Sequence, residues 1–187
     1  MVPCEPHVGA ARRDQGATAA RLAGQAEASA AAGQIASARS GFFRASNYFR
    51  TAGLFAMGSP VDPRLTEAHR REVESFRRGA ALLDVPPEIV QIPYEGTSLP
   101  AYFFRAAADA TPRPTVILTN GYDGTAEELY FTNGAAALER GYNVLAVSCS
   151  TSRRSTGSGT YSSWRRRSVS APSGPSGAAR PGRAITT

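Results

Sequence analysis

One stretch of the chain, residues 115–147, most constrains the fold: it reads TVILTNGYDGTAEELYFTNGAAALERGYNVLAV. Its first five residues are mostly β-branched, with three consecutive apolar side chains, which predicts a short strand buried on both faces. Thr125 and Glu128 have the spacing of a capping box, which predicts a helix over residues 125–140. The apolar run at residues 142–147 predicts a second strand. Together these elements predict one βαβ unit with parallel strands and a right-handed crossover.

The part of the chain before this unit has the composition of helices. Residues 1–10 are predicted to be disordered, and the Ala-rich residues 11–32 are predicted to form a helix. A second helix is predicted over residues 35–57, where small and aromatic side chains recur at helical spacing. Pro63 suits the start of a third helix, over residues 64–83.

Between the helices and the βαβ unit lies a predicted β-hairpin. Its strands are residues 88–94 and 99–105, and the turn signal is at residues 95–97. The predicted fold class is therefore α/β. A helical segment over residues 11–85 is followed by a partial sheet over residues 86–147.

The turn after the first strand of the βαβ unit, residues 120–124, reads Asn-Gly-Tyr-Asp-Gly. It resembles the oxyanion-hole loop of α/β-hydrolases, in which His-Gly or a similar pair ends the third strand. A helical segment containing ASNYFRTA and DPRL, a small hairpin and this unit are together similar to α/β-hydrolases with an N-terminal helical cap. That group includes the 2,6-dihydropseudooxynicotine hydrolase-like and FrsA-like esterases. The resemblance covers residues 32–147 and implies the start of an α/β-hydrolase sheet.

The resemblance implies an activity and one part of its site. The reaction is hydrolysis of an ester, or of a C–C bond beside a carbonyl, by a serine nucleophile, with no cofactor and no metal. The substrate is a small-molecule ester or ketone, and its binding residues are unknown. Gly121 belongs to the implied oxyanion loop, and the backbone N–H of Tyr122 is the implied donor. The alternative interpretation is that residues 120–124 form only a tight strand-to-helix turn.

The rest of the catalytic machinery is missing from the sequence. No G-x-S-x-G nucleophile motif occurs, and the nearest approach, residues 174–178, lacks the final glycine and has no strand before it. No histidine follows His69, so the late general base is missing too. His69 itself falls on an apolar helix face, which predicts a hydrogen-bonded core residue rather than a catalyst. The chain is therefore predicted to be an inactive hydrolase fragment that ends before the catalytic elbow.

The composition changes abruptly after Val147. Residues 148–187 contain eleven Ser, seven Arg and no acidic residue, which predicts a disordered tail. The first 147 residues carry 14 Arg and 15 acidic residues, a net charge of −1, whereas the tail carries +7. So sharp a switch at the end of a strand indicates a reading-frame change, and a genuine basic tail is the alternative.

The charge pattern leaves a second class of function open. A non-enzymatic binding protein could use the predicted helical hairpin or the Arg-rich tail, and the tail is expected to bind polyanions without specificity. No specific nucleic-acid site is predicted. Nucleotide binding is rejected, because the sequence has neither G-x-G-x-x-G nor a lysine-containing phosphate loop.

The sequence also gives an expectation about location. Cys4 and Cys149 are the only cysteines and are not predicted to pair. No segment approaches the ~20 apolar residues of a membrane span, and the N-terminus has no secretory apolar core. A cytoplasmic protein without membrane attachment is expected. The oligomeric state cannot be predicted.

Overall fold

Three long helices precede a four-stranded sheet in this chain. The computed structural model describes residues 5–54, 56, 62–94, 97–121 and 124–148. The predicted tail from residue 149 onward and both cysteines lie outside the described residues. The elements, in chain order, are α1 (Glu5–Ala31), α2 (Ile35–Leu54), α3 (Pro63–Ala80), β1 (Glu88–Tyr94), β2 (Thr97–Phe104), β3 (Thr115–Thr119), α4 (Ala126–Leu129), a π-helical turn (Tyr130–Gly134), α5 (Ala135–Glu139) and β4 (Asn143–Val147).

The helices α1 and α2 form a close hairpin. Gly33 adopts a φ of 73° between them, a left-handed conformation that ends α1 without the penalty of a Cβ. A Cβ at Gly41 of α2 would lie 2.8 Å from the Cβ of Ala26, so glycine permits the helices to approach each other there. α1 begins at Glu5, inside the segment predicted to be disordered and earlier than its predicted start at residue 11. Proline at position 6 is compatible with this first turn, because the first N–H groups of a helix have no partner within the helix.

The third helix begins where its sequence predicts. Asp62 caps it by accepting a hydrogen bond from the Arg64 N–H at 2.8 Å, and Pro63 is the first helical residue. α2 packs against both α1 and α3. The far half of α3 turns Phe76 and Ala80 toward the sheet. α3 therefore connects the helical hairpin to the rest of the protein.

The sheet has the strand order β1-β2-β4-β3. β1 and β2 form the predicted antiparallel hairpin, and β2 also pairs antiparallel with β4. β3 and β4 are parallel, with Thr115 opposite Asn143 and Thr119 opposite Val147. The predicted fold class, a helical segment followed by an antiparallel hairpin and one βαβ unit, is confirmed.

One face of the sheet carries the main core. Phe76 of α3 is 0% exposed and lies at its centre. It contacts aromatic rings from β2, from α2 and from the π-helical turn at centroid distances of 5.1–6.5 Å: Tyr102, Phe104, Phe43, Tyr130 and Phe131. Val144 and Ala146 of β4 and Leu118 of β3 complete this cluster from the sheet side. The cluster joins the helical segment to the sheet.

The prediction that β3 is buried on both faces is wrong. Its burial alternates along the strand, and Ile117 is 66% exposed. Leu118 packs against the helices, whereas Ile117 points to the opposite face. The strand order leaves β3 at one end of the sheet, and the described helices cover one face only. Among the described residues, no strand pairs with the outer edge of β3.

The predicted helix over residues 125–140 is interrupted. Tyr130–Gly134 form a π-helical turn, which contains the Asn-Gly pair that predicted a weak point. A Cβ at Gly134 would lie 3.2 Å from the carbonyl oxygen of Leu129, so glycine fits the widened turn. The turn lets adjacent side chains, Tyr130 and Phe131, both reach the core. Among the described helices, none is long and apolar enough to cross a membrane.

Candidate functional site

The predicted oxyanion loop lies at the carboxyl edge of the parallel strands. β3 ends at Thr119 and α4 begins at Ala126, so residues 120–124 occupy the position where ligands bind in open α/β sheets. Gly121 is exposed, and a Cβ built on it would meet nothing within 4 Å. Tyr122, the predicted oxyanion donor, lies outside the described residues, as does Asp123. The donor role of Tyr122 therefore stays a prediction.

The far end of this turn is tightly packed. A Cβ at Gly124 would lie 2.7 Å from the Cβ of Asn120, so only glycine allows the two ends of the turn to approach each other. The next residue, Thr125, is the predicted N-cap of α4, and this prediction is confirmed: its Oγ1 accepts a hydrogen bond from the Glu128 N–H at 3.3 Å. The turn thus leads directly into a capped helix.

A buried glutamate holds Thr125 in place. The Thr125 hydroxyl donates to Oε1 of Glu72 on α3 at 2.6 Å, and Glu72 is 1% exposed. The second carboxylate oxygen, Oε2, lies 3.1 Å from Nδ1 of His69. The backbone carbonyl of Glu72 accepts from the Ser46 hydroxyl of α2 at 3.0 Å. One residue of α3 therefore links α2 and the N-terminus of α4.

A second buried carboxyl lies in the first turn of α4. Glu127 accepts a hydrogen bond from the Tyr102 hydroxyl at 2.7 Å, and Nε of Arg77 donates to that hydroxyl at 3.2 Å. Burial raises the pKa of Glu127, and the nearby charge of Glu72 raises it further. Burial, followed by the charge of Glu127, also raises the pKa of Tyr102. The side of α4 that faces α3 and β2 is thus polar, buried and rich in titratable groups.

Replacing Glu127 by glutamine is expected to stabilise the protein relative to the wild type once pH rises above the pKa of an unfolded carboxyl, about 4.3. A carboxyl whose pKa is raised on folding binds its proton more tightly in the folded state. Its contribution is complete below the unfolded pKa of about 4.3 and is lost as pH rises through the folded pKa. Glutamine cannot ionise and still accepts from Tyr102. Thermal unfolding at several pH values should show that the melting temperature of the variant increases relative to that of the wild type as pH rises.

The adjacent residue supplies the control for this experiment. Glu128 is half-buried, and its Oε2 pairs with Nη2 of Arg50 at 2.7 Å, so Glu128→Gln should lose stability rather than gain it. If Glu127→Gln were the less stable protein at alkaline pH, the buried carboxyl would be ionised and stabilised in the folded state.

Two of these residues could have been found by helical spacing. Glu72 lies three residues after His69 and four before Phe76, so it falls on the apolar face of α3. His69 was predicted to be a hydrogen-bonded core residue of that face; it contacts Glu72 as expected, but its side chain is 25% exposed, so it lies at the margin of the core. No described group of three or more His, Cys, Asp and Glu side chains could hold a metal ion.

Known proteins resemble this chain over about 70% of its length. No protein-family profile matches it. The α/β hydrolase gkaG of Penicillium citrinum is 36% identical over 142 residues, covering 74% of this chain and 32% of that relative. The 20-hydroxy-prefusarin hydrolase FUS2 of Gibberella moniliformis is 37% identical over 138 residues, covering 72% and 32%. The chain spans about a third of the length of the curated relatives it matches.

A solved structure shares the same arrangement of elements. The crystal structure of the 2,6-dihydroxy-pseudo-oxynicotine hydrolase superposes with a TM-score of 0.62 at 26% identity, covering 71% of this chain and 36% of that one. The helical segment and the mixed sheet thus occur together in a protein of known fold. With these sequence relatives, they show that the chain belongs to the α/β-hydrolase family, in the group with an N-terminal helical segment.

Proposed function

We propose that this chain supplies the helical cap segment and half of the oxyanion hole of a serine α/β-hydrolase. The reaction is hydrolysis of an ester, or of a C–C bond beside a carbonyl. The observation that carries the proposal is the turn at residues 120–124, which lies at the carboxyl end of a parallel strand and is followed by a buried, capped helix start. Residues 11–85 are the cap segment and residues 86–147 the partial hydrolase core.

The chemistry of the turn supports this role. Acyl transfer places negative charge on the carbonyl oxygen of the substrate, and backbone N–H groups held in a fixed position stabilise that charge. The exposed, unobstructed Gly121 leaves room for a carbonyl to approach the backbone. We assign the donor to the N–H of Tyr122. The second donor of such a site comes from the residue after the nucleophile.

The names of the relatives support a class of substrate. One relative is named as a hydrolase of 20-hydroxy-prefusarin, and the solved structure is a hydrolase of 2,6-dihydroxy-pseudo-oxynicotine. Both names describe hydroxylated small molecules. We therefore propose a hydroxylated small molecule with a reactive carbonyl as the substrate of the whole protein.

This chain is expected to be catalytically inactive by itself. Its sequence has no G-x-S-x-G motif and no histidine after His69, so an activated serine and its late base are missing. Incubation with a fluorophosphonate probe, followed by intact-mass measurement, should show no covalent adduct. An active serine hydrolase treated in the same way is the positive control. A stoichiometric adduct on one serine would contradict the expectation and identify an unrecognised nucleophile.

A second candidate function is polyanion binding by residues 148–187. The observation that favours it is the uneven charge, −1 in the first 147 residues and +7 in the rest. Deleting residues 148–187 should abolish retention on heparin at low salt. If the shortened protein is retained equally well, the folded part must itself carry a basic surface. The coding DNA separates the two candidates, because a shifted frame encoding G-x-S-x-G and a later histidine would support the hydrolase fragment.

A further inference from the structure

A cleft of about 740 Å³, within the size range of small-molecule sites, lies between α2 and α5 beside the segment that joins α3 to β1. We propose that this cleft binds a small aromatic carboxylate. The ring of the ligand lies against Phe43 and Phe131. Its carboxylate accepts hydrogen bonds from Arg39 and Tyr130. The inference goes beyond the proposed function and does not depend on it, because no residue that lines the cleft belongs to the turn at residues 120–124.

The first step is the position of the cleft, at the end of the sheet opposite the proposed oxyanion turn. Ala106 lines the cleft after the end of β2, and its N–H donates to Oδ1 of Asn143, the first residue of β4, at 3.1 Å. Glu139, the last residue of α5, also lines the cleft. These residues lie at the amino ends of the parallel strands. A strand of five residues is roughly 16 Å long, so the cleft and the turn are separate binding positions.

The second step is that Arg39 has hydrogen-bond donors left for a ligand. Its Nη1 donates to the carbonyl of Leu82 at 3.4 Å and lies 3.8 Å from Oδ1 of Asp84. Asp84 is fully exposed, so water screens its attraction for the guanidinium. Among the described residues, none accepts a hydrogen bond from Nε or Nη2 of Arg39. These two nitrogens can therefore donate to a carboxylate in the paired geometry that a guanidinium favours.

The third step is that Tyr130 presents a hydroxyl to the same cleft. Its ring packs against Phe43 and Phe104 at centroid distances of 5.2 Å. Burial raises the pKa of the Tyr130 phenol, while the charge of Arg39 opposes this rise and that of Glu139 adds to it. Both charged residues line the cleft, which indicates that the hydroxyl points to it. The phenol keeps its proton at neutral pH and forms no hydrogen bond with a described residue, so it can donate to a ligand.

The fourth step is the apolar wall of the cleft. Phe43 and Phe131 are half-buried, and their rings meet edge to face at 83° with centroids 5.3 Å apart. Leu83 and Leu138 are also half-buried and belong to the same lining. The exposed parts of these side chains form an apolar surface beside the two donors. An aromatic ring suits this surface, because aromatic pairs are stabilised beyond the burial of their area.

The fifth step is the charge of the ligand. Three arginines and two acidic residues line the cleft, and one of the arginines, Arg105, is paired with Glu88 at 2.5 Å. Positive and negative charges are therefore nearly balanced, so a multiply charged anion gains little attraction there. A monoanion needs only one guanidinium, and Arg39 supplies it. A single carboxylate thus suits the cleft better than a phosphate does.

The experiment uses the full chain and two matched photoreactive probes. 4-Benzoylbenzoate carries aromatic rings and a carboxylate, and 4-benzoylbenzamide has nearly the same shape without the charge. Illumination attaches each probe to carbon–hydrogen bonds beside it, and mass spectrometry of the digested protein locates the adduct. The carboxylate probe should label residues 83–85 or 135–139 at a concentration at least about 10-fold lower than the amide probe, as expected for a charge-assisted hydrogen bond.

Three variants test the two donors. Arg39→Gln removes the charge and should reduce the preference for the carboxylate probe by about 10-fold. Tyr130→Phe keeps the packed ring, loses only the hydroxyl and should reduce the preference by about 3-fold. Arg21→Gln is the control, because Arg21 is an exposed arginine of α1 outside the cleft, and it should leave the preference unchanged. Circular dichroism checks that each variant folds.

Several outcomes would overturn the proposal. Equal labelling by the two probes would show that the carboxylate is not recognised. An unchanged preference in both Arg39→Gln and Tyr130→Phe, or adducts confined to residues 149–187, would assign the binding to other arginines of the chain. Adducts confined to residues 115–121 would assign it to the proposed oxyanion turn, which would support the proposed function and contradict the cleft. The location of the adduct is measured on the wild type, so it decides the matter even if a variant does not fold.

Discussion

Replacing Phe76 by alanine is expected to cost the protein about 3–5 kcal/mol of folding stability, the range for removing a fully buried phenylalanine. Phe76 is fully buried and contacts five aromatic rings that come from α2, β2 and the π-helical turn. These parts of the chain cannot all move to fill the space that the ring leaves. Because domains are stable by only about 5–15 kcal/mol, the variant could lose most of its stability.

Urea denaturation followed by circular dichroism measures this cost. Phe103→Ala is the matched control, because Phe103 is a half-buried phenylalanine on the opposite face of the same sheet. It should cost less than half as much as Phe76→Ala. Equal costs for the two variants would mean that the aromatic cluster does not hold the helical segment on the sheet.

The second large effect is expected at the outer edge of β3, where the wild-type chain should self-associate. An edge strand with free backbone groups pairs readily with another chain, and Ile117 presents an exposed apolar side chain beside this edge. Ile117→Lys should convert the oligomers to monomers, because each added strand would bring two lysines together. The folded monomer should lose little stability, since Ile117 is already largely exposed.

The other end of the sheet provides the control. β1 is also an edge strand, and Ile89 on it is 53% exposed. Pro93 cannot donate a ladder hydrogen bond and Glu88 adds charge, so this edge is already protected and Ile89→Lys should not change the association state. Light scattering after size-exclusion chromatography measures all three proteins. A monodisperse wild-type monomer would show that the edge of β3 does not associate.

The elements whose signals are local were predicted well from the sequence. Pro63 gave the start of α3, the spacing of Thr125 and Glu128 gave the start of α4, and turn residues gave the hairpin. Each of these depends on side chains within a few residues of one another. The family resemblance came from the order of the elements and from the turn at residues 120–124, and the relatives confirm it.

The features that were missed depend on residues far apart in the sequence. The exposure of Ile117 follows from the place of β3 in the sheet, which one strand cannot indicate by itself. Glu72 is buried because Thr125, 53 residues later, bonds its carboxylate. The π-helical turn places its aromatic side chains in a cluster that includes Phe43 and Phe76, which come from two other helices. For the predicted site residues, the structure gives the exposure of Gly121, while Tyr122 lies outside the described residues.

The strand order also has a consequence for how the chain folds as it is synthesised. β4 lies between β2 and β3, yet it is the last of the four strands to leave the ribosome. Until it emerges, β3 has no described partner strand, and the β1-β2 hairpin has no sheet to join. The three helices need only neighbouring contacts and can fold first, whereas pairing that joins distant segments is slow. The emerging sheet is thus exposed to chaperones and to other nascent chains until β4 joins it.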